Sequence, residues 1–143
     1  MSKYSKRFWE ENWDQGLSNL DPDEWKSVQS LTKAIIRSTH DFPNAIALAL
    51  KGVEISYKQL DIYSNEFAQM LISNGFKKDD IVVISLPNIP EYVIGMIGAH
   101  KAGCVVSGIS PLLSEEQLEY RLLDLNKGEK KMALFTLDAI FSG

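Results

Sequence analysis

The chain has 143 residues, 45% hydrophobic and 24% charged, which fits one globular domain with a buried core. Its net charge of −4 lacks the basic surplus that binds nucleic-acid backbones, so we expect no nucleic-acid partner. The single cysteine excludes an internal disulfide. No run reaches the roughly 18 to 20 consecutive apolar residues that a membrane-spanning helix needs. The first residues also lack the apolar region of a signal peptide. We therefore expect a cytoplasmic protein with no transmembrane segment.

Residues 1–20 are rich in charge and aromatic side chains, including Trp9 and Trp13, and predict an arm that packs on the body. Asp21 then provides an N-cap and Glu24 the capping-box position of a helix that ends before His40. Its predicted buried face is formed by Trp25, Val28, Leu31, Thr32, Ile35 and Ile36. We therefore divide the chain into an arm, 1–20, and an incomplete α/β subdomain, 21–143.

A hairpin and a second helix are predicted next. Residues 45–50 and 53–56 are strands joined by a tight turn at Lys51-Gly52. Ser56 and Gln59 form a capping box, and Asn74-Gly75 ends the helix. The predicted buried side of this helix consists of Leu60, Tyr63, Phe67 and Leu71.

Three apolar strands alternate with two further helices. The strands are 81–86, 104–109 and 132–136, and the first is apolar on both faces, which is typical of a covered parallel strand. The first helix spans 90–102. The second begins at Ser114, with Gln117 completing its capping box and Leu118, Leu122 and Leu125 pointing inward. This order predicts a parallel βαβαβ core in an α/β fold.

The helix at 90–102 is apolar nearly all round, with Gly95, Gly98 and Ala99 placed to let neighbouring backbones come close. A helix that covers a sheet normally presents its other face to water. We therefore expect a further layer over this helix, supplied by the remainder of a longer polypeptide or by a dimer contact, and we favour the former.

The residues by themselves predict no catalytic, cofactor-binding or metal site. Gly103 and Gly108 have P-loop spacing, but Ile109-Ser110 follows where a lysine is required. His40 and His100 lie far apart, and His100 suits the negative end of a helix dipole. The acidic pair at 79–80 lies in a predicted solvated turn. The pair at 115–116 is explained by the first turn of a helix, which favours negative charge.

Two single residues have both a structural and a functional interpretation. Asn88 follows a parallel strand at its carboxyl end, where ligands bind in open α/β sheets, but we favour a role as N-cap of the next helix. Cys104 lies in an apolar run and is interpreted as a small buried hydrophobe rather than a nucleophile.

Residues 30–138 resemble the N-terminal part of AMP-forming acyl-CoA synthetases, members of the adenylate-forming superfamily. The resemblance rests on the order of several short motifs: Ser56-Tyr57-x-x-Leu60-Asp61, Leu86-Pro87-Asn88, Pro90-Glu91, Lys101-Ala102-Gly103 and the helix start at Ser114. The opening KRFWEENWDQGL with DPDEW is similar to the arm of some fatty-acid–CoA ligases. Two departures are Ser110-Pro111, where the family often has Asn-Pro, and a long basic turn at 126–131.

The resemblance implies an enzyme that uses ATP, Mg²⁺ and coenzyme A. A carboxylate, here a fatty acid, attacks the α-phosphate of ATP, pyrophosphate leaves, and the thiol of coenzyme A displaces AMP from the acyl-adenylate. The family's phosphate loop, acyl pocket and catalytic lysine lie beyond the matched segment, so the chain would bind none of these molecules alone. The alternatives are a binding or dimerisation module without catalysis and an unrelated α/β nucleotide-binding domain.

Overall fold

The computed structural model describes residues 30–126, 128 and 130–137, which form helices and strands in alternation. In chain order they are α1 Leu31–Asp41, β1 Ile46–Leu50, β2 Val53–Ser56, α2 Tyr57–Ser73, β3 Ile81–Ser85, α3 Pro90–Lys101, β4 Val105–Gly108, α4 Glu115–Leu125 and β5 Met132–Thr136. The predicted arm at 1–20 and the predicted helix start at Asp21 lie outside the described residues. The division into 1–20 and 21–143 stays a prediction.

Helix α1 begins at Leu31. Ser30 is extended, with φ −162° and ψ 156°, and its hydroxyl accepts from the Lys33 amide at 3.2 Å, so it caps the helix. One continuous helix running from residue 21 through residue 30 is therefore wrong, and α1 also continues to Asp41. Leu31 and Ile36, predicted to be buried, are 59% and 47% exposed.

The hairpin and α2 follow the prediction closely. Lys51 and Gly52 have φ of 47° and 84°, the left-handed pair of a tight hairpin turn, and Ser56 forms the predicted capping box. Tyr63 is 40% exposed, however, and its predicted burial is wrong. The buried stripe of α2 consists of Leu60, Ser64, Ala68 and Leu71. Small residues take its middle because a neighbouring helix comes close there.

The parallel core is confirmed, in the sheet order β4-β3-β5. Val83 of the central strand pairs with Ser107 on one side and Leu134 on the other. All of β3 is buried, whereas β4 and β5 lie at the edges and Val105 is 50% exposed. The two outer strands are therefore more exposed to solvent than the prediction of three apolar strands implied.

Helix α3 lies between the sheet and α2, and the chain itself covers it. A Cβ at Gly98 would be 2.7 Å from the Ser64 carbonyl oxygen, and one at Gly95 would be 2.8 Å from the Phe135 ring. On the remaining side, Ile97 packs with buried residues of the hairpin and α2. Every apolar side chain of α3 is buried or half-buried.

The predicted close approach at both glycines is thus confirmed. The prediction that the layer over 90–102 comes from outside these 143 residues is wrong. Helices α1 and α2 and the hairpin provide the expected layer. The reason for expecting a dimer through this helix is therefore removed.

Helix α4 packs loosely by comparison. Its capping box at Ser114 and Gln117 is present as predicted. None of its residues is buried: the predicted inward stripe of Leu118, Leu122 and Leu125 is half-buried. Tyr120 and Leu123 are 67% and 66% exposed.

Candidate ligand-binding edge of the parallel sheet

The carboxyl ends of β3 and β4 lie side by side. The Ile109 amide donates to the Ile84 carbonyl oxygen at 3.0 Å, which holds the two ends together. Ligands of open parallel sheets bind outside this edge. Two clefts open beside it, and they are the candidate binding surfaces of the described residues.

The first, here named the hairpin cleft, has a volume of about 260 Å³. Its lining residues are Leu48, Ala49, Leu50, Asn88, Ile89, Pro90, Tyr92 and Val93. Leucine, isoleucine, proline and valine side chains dominate this lining, so the cleft suits an apolar group.

Asn88 lies at this cleft and does not cap α3, so the predicted cap is wrong. Pro90 occupies the first helical position, so the N-cap is Ile89, with φ −120°. The apolar Ile89 side chain makes no capping hydrogen bond. The Asn88 side chain is exposed. A ligand contact by Asn88, the alternative interpretation, stays a prediction.

The second, here named the α4 cleft, has a volume of about 360 Å³ and is more polar. Its lining residues are Ser107, Gly108, Ile109, Ser110, Leu113, Arg121, Asp124 and Leu125. A Cβ at Gly108 would collide with the Tyr92 hydroxyl. A residue of each lining is therefore in contact, so the two clefts are neighbours.

A half-buried lysine, Lys101, joins α2 to α3, and the sequence did not reveal this contact. The side chain of Lys101 is 9% exposed, and its Nζ lies 2.7 Å from Asp61 Oδ1 and 2.8 Å from both Ser64 Oγ and Asn65 Oδ1. The Asp61 carbonyl oxygen is a fourth acceptor at 3.3 Å. An ammonium has three protons to donate, so none is left for an anionic ligand. The signal in the sequence is the polar set Asp61, Ser64 and Asn65, spaced i, i+3 and i+4 on a face of α2 that otherwise packs against its neighbours.

Asp80 is also buried, so the prediction of a solvated turn at 79–80 is wrong for this residue. Its carboxylate accepts from the Lys77 amide at 2.6 Å and from the Lys131 amide at 3.3 Å. It thereby ties the turn before β3 to the start of β5. Asp79, with φ 69°, is exposed as predicted.

Cys104 is 5% exposed and packs in the main core, as predicted. Burial, and then the charge of Asp80, raises the pKa of its thiol. The thiolate is the nucleophilic form, so this environment opposes nucleophilic chemistry at neutral pH.

The other residues considered in the sequence are dispersed. Gly103 precedes β4 and Gly108 ends it, so they cannot cradle one phosphate. His40 contacts Asp41 at the end of α1, and its hydrogen bond lowers the pKa of that carboxyl. Within the described ranges, no three His, Cys, Asp or Glu side chains are grouped to hold a metal ion. No helix in these ranges has the length and hydrophobicity to cross a bilayer.

Comparison with known proteins decides the family. Residues 36–126 match the family described as AMP-binding enzyme. The chain belongs to this family. The resemblance to adenylate-forming enzymes seen in the sequence is thereby confirmed.

Several curated members of the family are similar to this chain. A long-chain-fatty-acid–CoA ligase of Bacillus subtilis is 29% identical over 137 residues, which cover 96% of this chain and 23% of that protein. A linear gramicidin synthase of Brevibacillus parabrevis is 33% identical over 106 residues, 74% of this chain and 2% of that protein. The chain thus spans less than a quarter of the length of these relatives.

Solved structures of adenylate-forming enzymes share the fold. The N-terminal subdomain of NpsA from Klebsiella oxytoca superposes with a TM-score of 0.65 at 22% identity, covering 79% of this chain and 31% of that one. O-succinylbenzoate coenzyme A synthetase from Bacillus subtilis gives a TM-score of 0.66 at 21% identity, covering 73% and 26%. The α/β architecture of an adenylate-forming N-terminal subdomain is therefore confirmed.

Proposed function

We propose that the chain is the N-terminal part of an AMP-forming acid–CoA ligase whose acid is a fatty acid. The whole enzyme uses ATP, Mg²⁺ and coenzyme A, resides in the cytoplasm, and has the remainder of its own polypeptide as the partner of this segment. The chain provides scaffold, and its hairpin cleft and α4 cleft lie at the sheet edge on which such enzymes can build a site.

The extent of the similarity to the ligase supports this assignment. The match to the Bacillus subtilis ligase covers all but a few residues of this chain. The matched region must therefore include most of the segment before residue 36, where the family match begins. The matches to the linear gramicidin synthase and to a surfactin synthase of Bacillus subtilis cover 74% and 76% of the chain. The similarity to this one ligase therefore extends into residues 1–20, whereas a long-chain-fatty-acid–CoA ligase of Escherichia coli matches 75% of the chain, as the synthases do.

A peptide-synthetase adenylation domain is the second candidate. The observation in its favour is the 33% identity to the linear gramicidin synthase, which exceeds the 29% identity to the ligase. Both candidates form an acyl-adenylate, but they differ in the thiol that receives the acyl group. A coenzyme A ligase transfers it to free coenzyme A, and an adenylation domain transfers it to the phosphopantetheine of a carrier protein.

The deciding experiment begins with the reading frame on both sides of codons 1–143. The protein encoded by the whole frame is purified and assayed for acid-dependent release of AMP. Fatty acids of graded length, amino acids and aryl acids are compared as substrates, each with coenzyme A or with a loaded carrier protein as the acceptor.

We expect AMP release with fatty acids and acyl-CoA as the product. Release with amino acids, and transfer only to the carrier protein, would replace the proposal with the second candidate. A frame that encodes no phosphate loop or catalytic lysine would support the non-catalytic binding module instead.

A further inference from the structure

The ammonium of Lys101 donates to oxygens of α2, about forty residues earlier in the chain. Asp61, Ser64 and Asn65 present three side-chain oxygens within 2.8 Å of it, from one turn of the helix. We propose that Lys101 is a positioning residue: an internal cation that locks α3 to α2 and so fixes the wall that α3 gives to the hairpin cleft.

The hydrogen bonds around Lys101 favour a cation at this place. Ser64 Oγ donates to the Leu60 carbonyl oxygen at 2.6 Å, so its lone pairs are left to accept from Lys101. Asn65 Nδ2 donates to Asp61 Oδ2 at 3.2 Å, which turns its own Oδ1 toward the ammonium. Without the ammonium, the Asp61, Ser64 and Asn65 oxygens would lose the donor that they share.

The contact of Lys101 fixes one end of α3, and the other end of α3 lines the hairpin cleft. Lys101 is the last residue of α3, and Gly98, one turn earlier, lies against Ser64 and Phe67 of α2. At the opposite end, Tyr92 and Val93 line the hairpin cleft. Because an α-helix is stiff over such a length, fixing its C-terminal half also sets the position of its first turn.

The unmodified protein offers a direct observable. We expect an ¹⁵N–¹H correlation from the Lys101 ammonium at neutral pH, because an ammonium that is shielded by α2 and donates to several protein oxygens exchanges its protons slowly with water. It should disappear in K101M. Absence of such a signal from the unmodified chain would overturn the proposal.

Stability and amide exchange test the lock itself. We expect K101M to lower Tm by roughly 5 to 10 °C, because the Asp61 charge and its neighbours lose their partner. Amide exchange should accelerate about tenfold or more along α3 as far as Val93. K58M removes the same charge from an exposed position of α2 and is the matched control. Equal Tm values for K101M and K58M would contradict the lock.

Chemical rescue separates the cation from simple packing. Propylammonium supplies the three carbons and the ammonium that K101A removes, and propanol of the same length supplies no charge. We expect propylammonium alone to raise the Tm of K101A; equal effects of both would overturn the proposal. Should neither Lys101 variant fold, D61N decides, because it must shift the ammonium resonance and lower Tm. The test concerns this chain's own helices, so its outcome is independent of the proposed reaction.

Discussion

Gly98 is the residue at which α2 and α3 approach most tightly. A Cβ there would lie 2.7 Å from a backbone oxygen and 2.9 Å from the Phe67 Cβ, so the helices would have to separate. We expect Gly98→Ala to lower the free energy of unfolding by about 1–2 kcal/mol, since overpacking costs about 1–3 kcal/mol and alanine regains up to about 1 kcal/mol of helix propensity. Urea unfolding gives the value.

Gly128→Ala is the control for this substitution. Among the residues that the structure describes, a Cβ at Gly128 would meet only the Lys130 side chain, at 3.9 Å, so we expect a change within about 0.5 kcal/mol. A Gly98→Ala protein as stable as the unmodified chain would show that α2 and α3 are not tightly apposed.

We expect the thiol of Cys104 to react slowly with disulfide reagents in the folded protein. Its pKa is raised above the usual 9.0 by burial and by Asp80, so little thiolate exists at pH 8. We expect reaction with a disulfide reagent to be slow in buffer and fast in denaturant. Rapid labelling of the native chain would contradict the buried position.

The same raised pKa gives a pH dependence with a definite sign. The neutral thiol is favoured by folding, so its contribution to stability is complete below about pH 9 and is lost as the pH rises through the higher folded pKa. Cys104→Ala should therefore reduce the loss of stability at strongly alkaline pH. Thermal unfolding of both proteins between pH 7 and pH 11, as approximate limits, measures the difference.

At the scale of elements, two identical caps precede helices with different packing. Ser56 and Ser114 each complete a capping box, but α2 has buried residues and α4 has none. We expect Ser56→Ala to lower global stability by about 1 kcal/mol, because α2 is part of the cooperative core. We expect Ser114→Ala to change mainly the amide exchange of α4, because a loosely packed helix opens locally.

Urea midpoints and site-resolved exchange, measured on both variants, separate the two effects. Equal losses of global stability would show that α4 unfolds together with the core. Loss of α2 protection alone in Ser56→Ala would show that α2 is independent of it.

At the scale of the whole molecule, we expect the 143-residue chain to show no acid-dependent ATP–pyrophosphate exchange. The sequence contains no glycine-rich loop followed by lysine, so it lacks the groups that stabilise charge developing on phosphate. The protein encoded by the whole reading frame is the positive control. Exchange by the pure chain with any fatty acid would contradict the scaffold role.

Local patterns in the sequence determined the elements and their order. The hairpin turn at Lys51-Gly52, the capping boxes at Ser56 and Ser114 and the apolar run of β3 depend on neighbouring residues, and all were predicted. The family, too, followed from motif order along the chain. Local chemistry and periodicity are readable because they act between residues a few positions apart.

Tertiary structure alone decided how the elements cover one another. It showed that α3 is enclosed by α1, α2 and the hairpin, that Tyr63 faces out, and that Lys101 meets Asp61. These outcomes depend on which faces meet across long separations, and periodicity along one helix cannot specify the partner of a face. Burial and charge pairing depend on contacts between residues that are far apart in the sequence, so they are known only once the elements are packed together.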